Sequence, residues 1–552
     1  MSRFDPEPVE ATRQTIWQAL ESSVARFRDR PALLADPNVS VTYGEMLEQV
    51  DKLAAGLLAA GVRRGDHVAI FFPPILEWAY VHYALTTLGA IVVPVNINYK
   101  TEEVRWVLKQ GDVSAIITLD TYRSFDFVGL LESVDPALKP GEVETAQFPL
   151  LKRIFVLNSQ QEQGGPYSLR TLLAHEPSTD ERAQLEKTRS DLAPADPCYI
   201  IFTSGSTARP KSALIPHRAV CGVGYYYGRA MKMTPEDRFV AALTTFHVAG
   251  LIPGIPMVHT HGGATCLAGM FDPGIWLQTV ERHRCTAGGG FDTLMNKIMA
   301  HPDFKTRDIS CFKKIHIGCT PSYYLELERA FNSDVIAMAY GCTEAGGIVA
   351  IVPPDETDLE IRRASNGYPL PGVEVKVVDH ETGEPVPVGT PGELCFRGWN
   401  RLLEYYNMPE ETAESIDAEG FIHMGDYGWM DERGLVYYRG RYKMMVKTGG
   451  ENVSQREVEI FLEENVPSVE FAQVVGVPDD LWGEAVVSFV QLRAGVEATP
   501  EQIREQCRGK IAGFKIPKHV FVLMPKEWPM MTVGRPDKGA LKQMAMERLG
   551  RK

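Results

Sequence analysis

Residues Ile201 to Lys211 read IFTSGSTARPK. An apolar pair runs into a loop holding Thr203, Ser204, Gly205, Ser206 and Thr207, and Lys211 stands four residues after the last hydroxyl. Small residues let backbone N–H groups approach an anion, hydroxyls add donors, and a lysine adds a point charge. Such a loop suits phosphate binding; the plainer alternative is an exposed Ser/Thr/Gly turn. The G-x-x-x-x-G-K-[ST] order of a P-loop is absent. Three further stretches carry complementary chemistry. AYGCTEAGG places Tyr340, Thr343 and Glu344 at a glycine-rich turn. A lone carboxylate beside a phosphate loop suits Mg2+, which takes one or two carboxylates plus phosphate oxygens; an acidic surface turn is the other reading. In HMGDYGWM, Asp426 can accept both hydroxyls of a ribose or simply close a turn. YRGRYKMMVKTGGENVS gathers Arg441, Lys443 and Lys447 around two glycine-rich turns, a pattern shared with solvated basic faces.

The surrounding pattern predicts how these residues are held. Cys198 to Phe202 is a short apolar run expected to be a buried strand feeding the phosphate loop. In the first third, VTYGEMLEQVDKLAAGLLAAG has helical spacing and stops at Gly61, DHVAIFF reads as a strand, EWAYVHYALTTLGA as a helix and IVVPVN as the next strand. Strands alternating with helices imply βαβ units and largely parallel sheets. From about residue 370 the pattern changes: GVEVKVVD, GELCFRG and GLVYYRG are short strands between glycine turns, a β-rich subdomain. After residue 441, an amphipathic helix (QREVEIFLEENV), two strands (EFAQVVGV and EAVVSFVQLRA) and a Thr-capped helix (TPEQIREQCRGKIA) predict a compact α+β domain. The 552 residues exceed what one core holds. A net charge of −14 argues against a general nucleic-acid or anionic-membrane binder, so an anionic ligand needs local cations and backbone donors. Nine scattered cysteines without a CxxC pair fit free thiols in a reducing compartment. A polar N-terminus and the lack of a long apolar run predict a cytoplasmic protein with no integral membrane segment.

Taken together and in order, the motifs resemble the adenylate-forming superfamily of acyl-CoA synthetases, luciferases and peptide-synthetase adenylation domains, in its acyl-CoA ligase branch. TSGSTARPK is similar to that family's phosphate loop TSGTTGxPKG, YGCTE to YGxTE, the Gly425-Asp426 pair to its ribose-binding aspartate, GRYK to its hinge, and KTGGENVSQREVE to xGGENIxPxEVE. GYPLPGVEV and GELCFRGWN extend the resemblance, which runs from about residue 15 to the C-terminus. It implies an α/β fold: a large N-terminal domain of βα subdomains plus a β-rich subdomain (1–440), and a small mobile C-terminal α+β domain (441–552) hinged near Lys443.

The resemblance also implies roles. ATP, Mg2+ and coenzyme A are expected, with a small-molecule carboxylic acid as partner and no nucleic acid, in a monomer or homodimer. Thr203, Ser204, Gly205, Ser206, Thr207 and Lys211 would hold phosphates; Ala208 and Ser212 stand where glycine is common. Gly318, Cys319, Thr320 and Pro321 would flank adenine, with Tyr340 and Gly341 beside it and Tyr340 stacking on the base. Thr343 and Glu344 would meet the α-phosphate and Mg2+, and Asp426 and Arg441 the ribose. Gly449 and Gly450 would wall the pantetheine tunnel. His247 would close over the substrate carboxylate, and Tyr225 with Gly288, Gly289 and Gly290 would shape an acyl pocket roomy enough for a medium- or long-chain, aromatic or otherwise bulky acid. His247, Lys211, Thr343, Glu344 and Arg535 form the expected catalytic set. Arg535 stands where the family carries a lysine, and Lys538 lies three residues later. The implied reaction is ATP-dependent acyl-AMP formation with pyrophosphate release, then transfer to CoA. Two other readings fit the sequence: an adenylating enzyme with a non-CoA acceptor, and a weakly active or inactive nucleotide binder in which Arg535 has cost the first step.

Overall fold

The computed structural model describes residues 9–35, 38–157, 165–203, 210–241, 245–290, 292–317, 321–442, 445–448, 451–479, 482–508, 510–511, 513–531 and 536–551. Two large sheets, a four-stranded sheet and a separate C-terminal sheet make up the frame. The eight-stranded sheet contains β1 (His67–Phe71), β2 (Ile91–Pro94), β3 (Pro197–Thr203) and β4 (Lys211–Pro216). β1 is buried at every position, as expected of a parallel strand covered on both faces. The helix Tyr43–Ala59 packs beside this frame and opens with a capping box in which Thr42 and Glu45 satisfy each other's backbone N–H.

The nine-stranded sheet contributes β5 (Ala287–Gly290), β6 (Lys314–Ile317) and β7 (Val335–Tyr340), paired in parallel. The helix α1 (His217–Ala230) and the short helix α2 (Val248–Ile252) supply the apolar packing beside these sheets. The four-stranded sheet is antiparallel, in the order β8 (Val373–Val378), β9 (Gly392–Gly398), β10 (Ile422–Met430) and β11 (Val436–Arg441).

β11 ends at Arg441, and the next strand, β12 (Met445–Thr448), already belongs to the C-terminal sheet. That domain continues with α3 (Gln455–Asn465), the long hairpin of β13 (Val469–Asp479) and β14 (Gly483–Leu492), α4 (Pro500–Cys507), β15 (His519–Val522) and α5 (Lys538–Arg548). Thr499 caps α4 through a box with Gln502, as the sequence suggests. The domain has apolar clusters of its own, one around Val446, Val458, Leu462, Val474 and Ile503. It touches the larger domain where the Ser454 hydroxyl donates to the Arg439 carbonyl at 2.9 Å. Among the described residues no helix is long and apolar enough to cross a membrane.

Candidate active site

β3 and β4 form a hairpin whose open end puts Thr203 opposite Lys211. The loop between them carries Ser204, Gly205, Ser206, Thr207 and Ala208, which lie outside the described residues. The Lys211 ammonium sits 4.6 Å above the ring of Tyr405, a cation–π contact that fixes a long side chain in place. Tyr405 belongs to the two-residue strand Glu404–Tyr405 paired with β4. Its hydroxyl donates to Glu344 Oε1 at 2.7 Å. Glu344 is buried at 3 % exposure in the turn Thr343–Ala345, directly after β7. Burial first, and then the Glu344 charge, push the Tyr405 phenol well above its ordinary pKa, so it stays a donor. One tyrosine therefore ties the phosphate hairpin of one sheet to the acidic turn of the other.

A second tie runs from β7 to the four-stranded sheet. The Tyr340 hydroxyl donates to Asp426 Oδ2 at 2.9 Å, and Arg441 Nε donates to Asp426 Oδ1 at 2.9 Å. Asp426 and Arg441 are cross-strand neighbours on β10 and β11. Burial pushes the Asp426 carboxyl up to about 6, while the Arg441 charge and the Tyr340 hydrogen bond pull it down. Burial would lower the Arg441 guanidinium, but Asp426, Tyr438, Cys342 and Glu344 together more than offset it. The Tyr340 ring stacks on Tyr438, centroids 5.3 Å apart and planes 20° apart. The ends of three sheets thus place a cation (Lys211), a buried carboxylate (Glu344), a ring (Tyr340) and a carboxylate–guanidinium pair (Asp426, Arg441) around one junction. Cys342, between Tyr340 and Glu344, registers both carboxylates: burial, then Glu344, then Asp426 drive its thiol upward. The donor set suits a triphosphate nucleotide with its cation, since a buried acceptor-only carboxylate beside a lysine is what a hard divalent ion and phosphate oxygens share.

The neighbouring surface is apolar. A Cβ placed on Gly347 would lie 3.8 Å from Val223 Cγ1 and 3.9 Å from both Val248 Cβ and Ile252 Cδ1. α1 and α2 therefore converge beside the turn that carries Glu344. His247 is half-buried and immediately precedes α2, its carbonyl accepting from Gly250 and Leu251. Gly341 packs so closely on the Gly347 backbone that a Cβ would stand 2.1 Å from the carbonyl, so only glycine fits.

Several expected residues fall elsewhere. Tyr225 lies two positions from Val223, about 200° around the helix, and its ring faces His261 while its hydroxyl accepts from Arg229 at 3.2 Å. The expected room at the glycine run is not there at two of its positions. A Cβ on Gly288 would lie 2.7 Å from Val240, and one on Gly289 2.1 Å from the His316 carbonyl. Those glycines serve close strand packing in β5; Gly290 is buried in the same strand. Pro321 opens the helix Pro321–Phe331. Gly318, Cys319, Thr320, Lys443, Gly449, Gly450 and Arg535 lie outside the described residues. Lys538, three residues past Arg535, is bonded to Glu459 at 2.5 Å and to Gln455 at 2.9 Å within the C-terminal domain. Ser212 is buried, with its hydroxyl on the Tyr406 carbonyl at 2.7 Å, so the departure from glycine there adds a tie beside Tyr405. Tyr405 and Tyr438 were not singled out from the sequence. A two-residue strand has no period to read, and Tyr438 looks like any strand tyrosine.

Known proteins resemble this chain over nearly its whole length. The family model "AMP-binding enzyme" matches residues 20–406, and "AMP-binding enzyme C-terminal domain" matches 457–535. The chain is 34% identical over 547 residues to the YngI protein of Bacillus subtilis (strain 168), covering 98% of each chain. It is 31% identical to the medium-chain acyl-CoA ligase ACSF2, mitochondrial, of Homo sapiens, covering 97% of this chain and 88% of that one. The crystal structure of the anthranilate CoA ligase AuaEII in complex with anthranoyl-AMP shares the fold, with a TM-score of 0.82 at 23% identity over 98% of each chain.

Proposed function

Because the chain belongs to the AMP-binding enzyme family and is an AMP-forming acid–CoA ligase that uses ATP, Mg2+ and CoA, we propose that its acid is an apolar one of medium chain length or comparable bulk. The observation that carries this is the wall of Val223, Val248 and Ile252 converging on Gly347, three residues from Glu344. A charged or very small acid would gain nothing from that surface, whereas each buried methylene contributes about 0.8 kcal/mol. The medium-chain ligase among the relatives supports the same class.

A carboxylate is a poor acyl donor because its leaving group is oxide. Attack of its oxygen on the α-phosphorus makes a mixed anhydride and releases pyrophosphate; a thiol then displaces AMP. The protein's part is alignment and charge placement. In our reading Lys211, Thr203 and the hydroxyls of Ser204, Ser206 and Thr207, with Gly205, hold the β- and γ-phosphates. Thr343 meets the α-phosphate, and Glu344 holds Mg2+, which neutralises phosphate charge when bound. Asp426 accepts the ribose hydroxyls while Arg441 keeps it oriented. The base lies against Tyr340 on the face away from Tyr438, flanked by Gly341 and by Gly318, Cys319, Thr320 and Pro321. His247 closes on the acid's carboxylate at the mouth of the Val248 wall. Arg535 bridges carboxylate and α-phosphate in the first step. Two steps in one site need different surroundings, which a C-terminal domain swinging near Lys443 provides; Gly449 and Gly450 then line the thiol's path. We place the boundary at 440/441, at the last residue of β11 and shortly before the C-terminal sheet begins at Met445, and read a cytoplasmic monomer or homodimer.

A chain-length panel of acids tests the substrate class, with pyrophosphate release and acyl-CoA formation followed with and without CoA. Medium-chain or bulky apolar acids should exceed acetate in kcat/KM by at least about tenfold, the worth of two methylenes. Preference for acetate or a dicarboxylate would overturn the class, and AMP release independent of CoA would point to another acceptor.

A further inference from the structure

On the four-stranded sheet, Cys395 of β9 and His423 of β10 are direct cross-strand partners. Glu393 lies two residues before Cys395 on the same strand and therefore on the same face. Cys395 Sγ is 3.3 Å from His423 Nδ1, and His423 Nδ1 is 3.5 Å from Glu393 Oε2. One donor atom from each of the three falls within 4.8 Å of the others, the one such group of three among the described residues. We propose that Glu393, Cys395 and His423 form a binding site for a thiophilic divalent cation of the Zn2+ class, separate from the Mg2+ of the nucleotide.

Three features support this. The first is the spacing. Zinc bonds of about 2.0–2.3 Å at the tetrahedral angle place sulfur about 3.5 Å from nitrogen, and nitrogen about 3.3 Å from oxygen. The sulfur–nitrogen and nitrogen–oxygen separations agree within a few tenths of an ångström, and the sulfur–oxygen separation lies within 4.8 Å. The second is orientation. His423 Nε2 lies 3.3 Å from Asp417 Oδ2, and Asp417 is itself held by Lys376 at 2.8 Å. A ring that donates one N–H to a carboxylate presents the lone pair of its other nitrogen, the arrangement that orients metal-binding histidines. That lone pair meets the Cys395 thiol at 3.3 Å, and a cation replacing the thiol proton would be held by both atoms. The third is charge. Glu393 and Cys395 are both buried, the cysteine completely. A divalent ion takes the cysteine as thiolate, its proton passing to solvent, and meets a carboxylate and a neutral imidazole, a donor set that balances its charge. Sulfur and imidazole select zinc over magnesium or calcium. His380, with Nδ1 2.8 Å from the same Glu393 oxygen, holds that carboxylate beside the site.

The position matters for the ligase. Glu393 Oε1 accepts from the Gly425 N–H at 2.8 Å, one residue before Asp426. His380 stacks on Tyr442 at 4.1 Å, immediately before the proposed hinge. An ion here braces the strand that carries the ribose carboxylate.

The test is a titration of the chelator-stripped full-length enzyme with Co2+ alone. The wild type should bind one equivalent, showing tetrahedral d–d absorption and a thiolate-to-cobalt band. Zn2+ should bleach both and excess Mg2+ should leave them. Cys395→Ser should abolish the thiolate band, and His423→Gln should weaken binding at least about tenfold, with far-ultraviolet circular dichroism unchanged. X-ray absorption of the Zn2+-loaded wild type needs no variant and should give one sulfur with two or three nitrogen or oxygen neighbours. Octahedral cobalt, a thiolate band surviving in Cys395→Ser, or a zinc shell with no sulfur or with two would each overturn the site.

Discussion

The two ends of the active machinery are built differently. In the large domain and at its border the described polar side chains of the nucleotide site brace one another: Lys211 on Tyr405, Tyr405 on Glu344, Tyr340 and Arg441 on Asp426. In the small domain the described bonds mostly close on the domain itself. Lys538 meets Glu459, Glu459 accepts the Val474 N–H, and Lys515 meets Glu457. Among the described residues the boundary is crossed by the Arg441–Asp426 pair, by the Ser454 hydroxyl on the Arg439 carbonyl and by Tyr442 packing on His380 and Tyr427. A hydrogen bond contributes roughly 0.5–1.5 kcal/mol net, and all of these but the Ser454 bond lie at the hinge itself. The first region is suited to holding one geometry and the second to moving as a body. The difference predicts that substitutions in the large domain damage nucleotide chemistry directly, and that those in the small domain separate the two half-reactions.

The strongest break is at Glu344. Glu344→Ala should lower acyl-AMP formation by about 30- to 1000-fold, the worth of a charged contact of ~2–4 kcal/mol. Thiolysis of supplied acyl-AMP should change much less. Single-turnover pyrophosphate release and thioester formation, measured separately, check this; near-wild-type adenylation would remove Glu344 from the metal role.

Arg535 comes next and belongs to the other region. A guanidinium has a planar fork and a different reach from an ammonium, so it is not a neutral stand-in at a tight site. Arg535→Ala should slow adenylation by about 100-fold, equivalent to ~3 kcal/mol, and Arg535→Lys should hold or raise it. Neither should alter thiolysis of supplied acyl-AMP. Adenylation untouched in the alanine variant would mean that Arg535 does not bridge carboxylate and phosphate.

Legibility from sequence divides along the same line as the mechanics. Repeating signals carried well: the helix ending before Gly61, the Thr499 cap, the β13–β14 hairpin and the glycine-bounded strands of the β-rich subdomain all have a period or a cap that a single chain displays. The spatial meeting of Lys211, Glu344 and Asp426 could be expected only through the motif resemblance, since they sit on three sheets. Tyr405 had no signal, because its importance comes from pairing with β4 rather than from its neighbours in sequence. The glycines at 288 and 289 were misread as room because a run of glycines looks the same whether it faces a cavity or a neighbouring strand; the His316 carbonyl decides it.

Acid sharpens the comparison at Asp426. Its carboxyl, pushed up to about 6, is charged above that pH and protonated below it. Only the charged form accepts both ribose hydroxyls, so the KM for ATP should rise by up to about tenfold per pH unit below 6. The stability effect has the opposite sign. A folded-state pKa above the unfolded one near 4 means that Asp426 favours the fold at low pH and penalises it as pH rises from about 4 to 6. Weakened ATP binding at pH 5 should therefore not be accompanied by unfolding from this residue. The nucleotide's own phosphate titrates nearby, so the informative quantity is the difference between wild type and Asp426→Asn. The variant should show a raised KM and lose the extra dependence; parallel curves would rule Asp426 out as the sensor.

The smallest catalytic effect is expected at Lys538, which makes it the sharpest control on Arg535. The Lys538 ammonium lies on Glu459, buried at 2 % exposure, and on Gln455, both on α3. Placed there, it joins α5 to α3 rather than reaching for a substrate. Lys538→Met keeps the hydrocarbon stem and removes the charge. Glu459 then retains the Val474 N–H at 2.9 Å and the Arg456 guanidinium at 3.3 Å, so it is only partly stranded. The cost should be about 1–3 kcal/mol, and a domain of this size loses about 4–8 °C of melting temperature per kcal/mol. Adenylation below the new melting temperature should stay within about threefold of wild type, with the ratio of the two half-reactions unchanged. Calorimetry paired with the two half-reaction assays reads both quantities. If Lys538→Met instead abolishes adenylation while the domain still melts as in the wild type, the lysine leaves Glu459 during turnover. Lys538, and not Arg535, is then the cation that meets the acid and the α-phosphate.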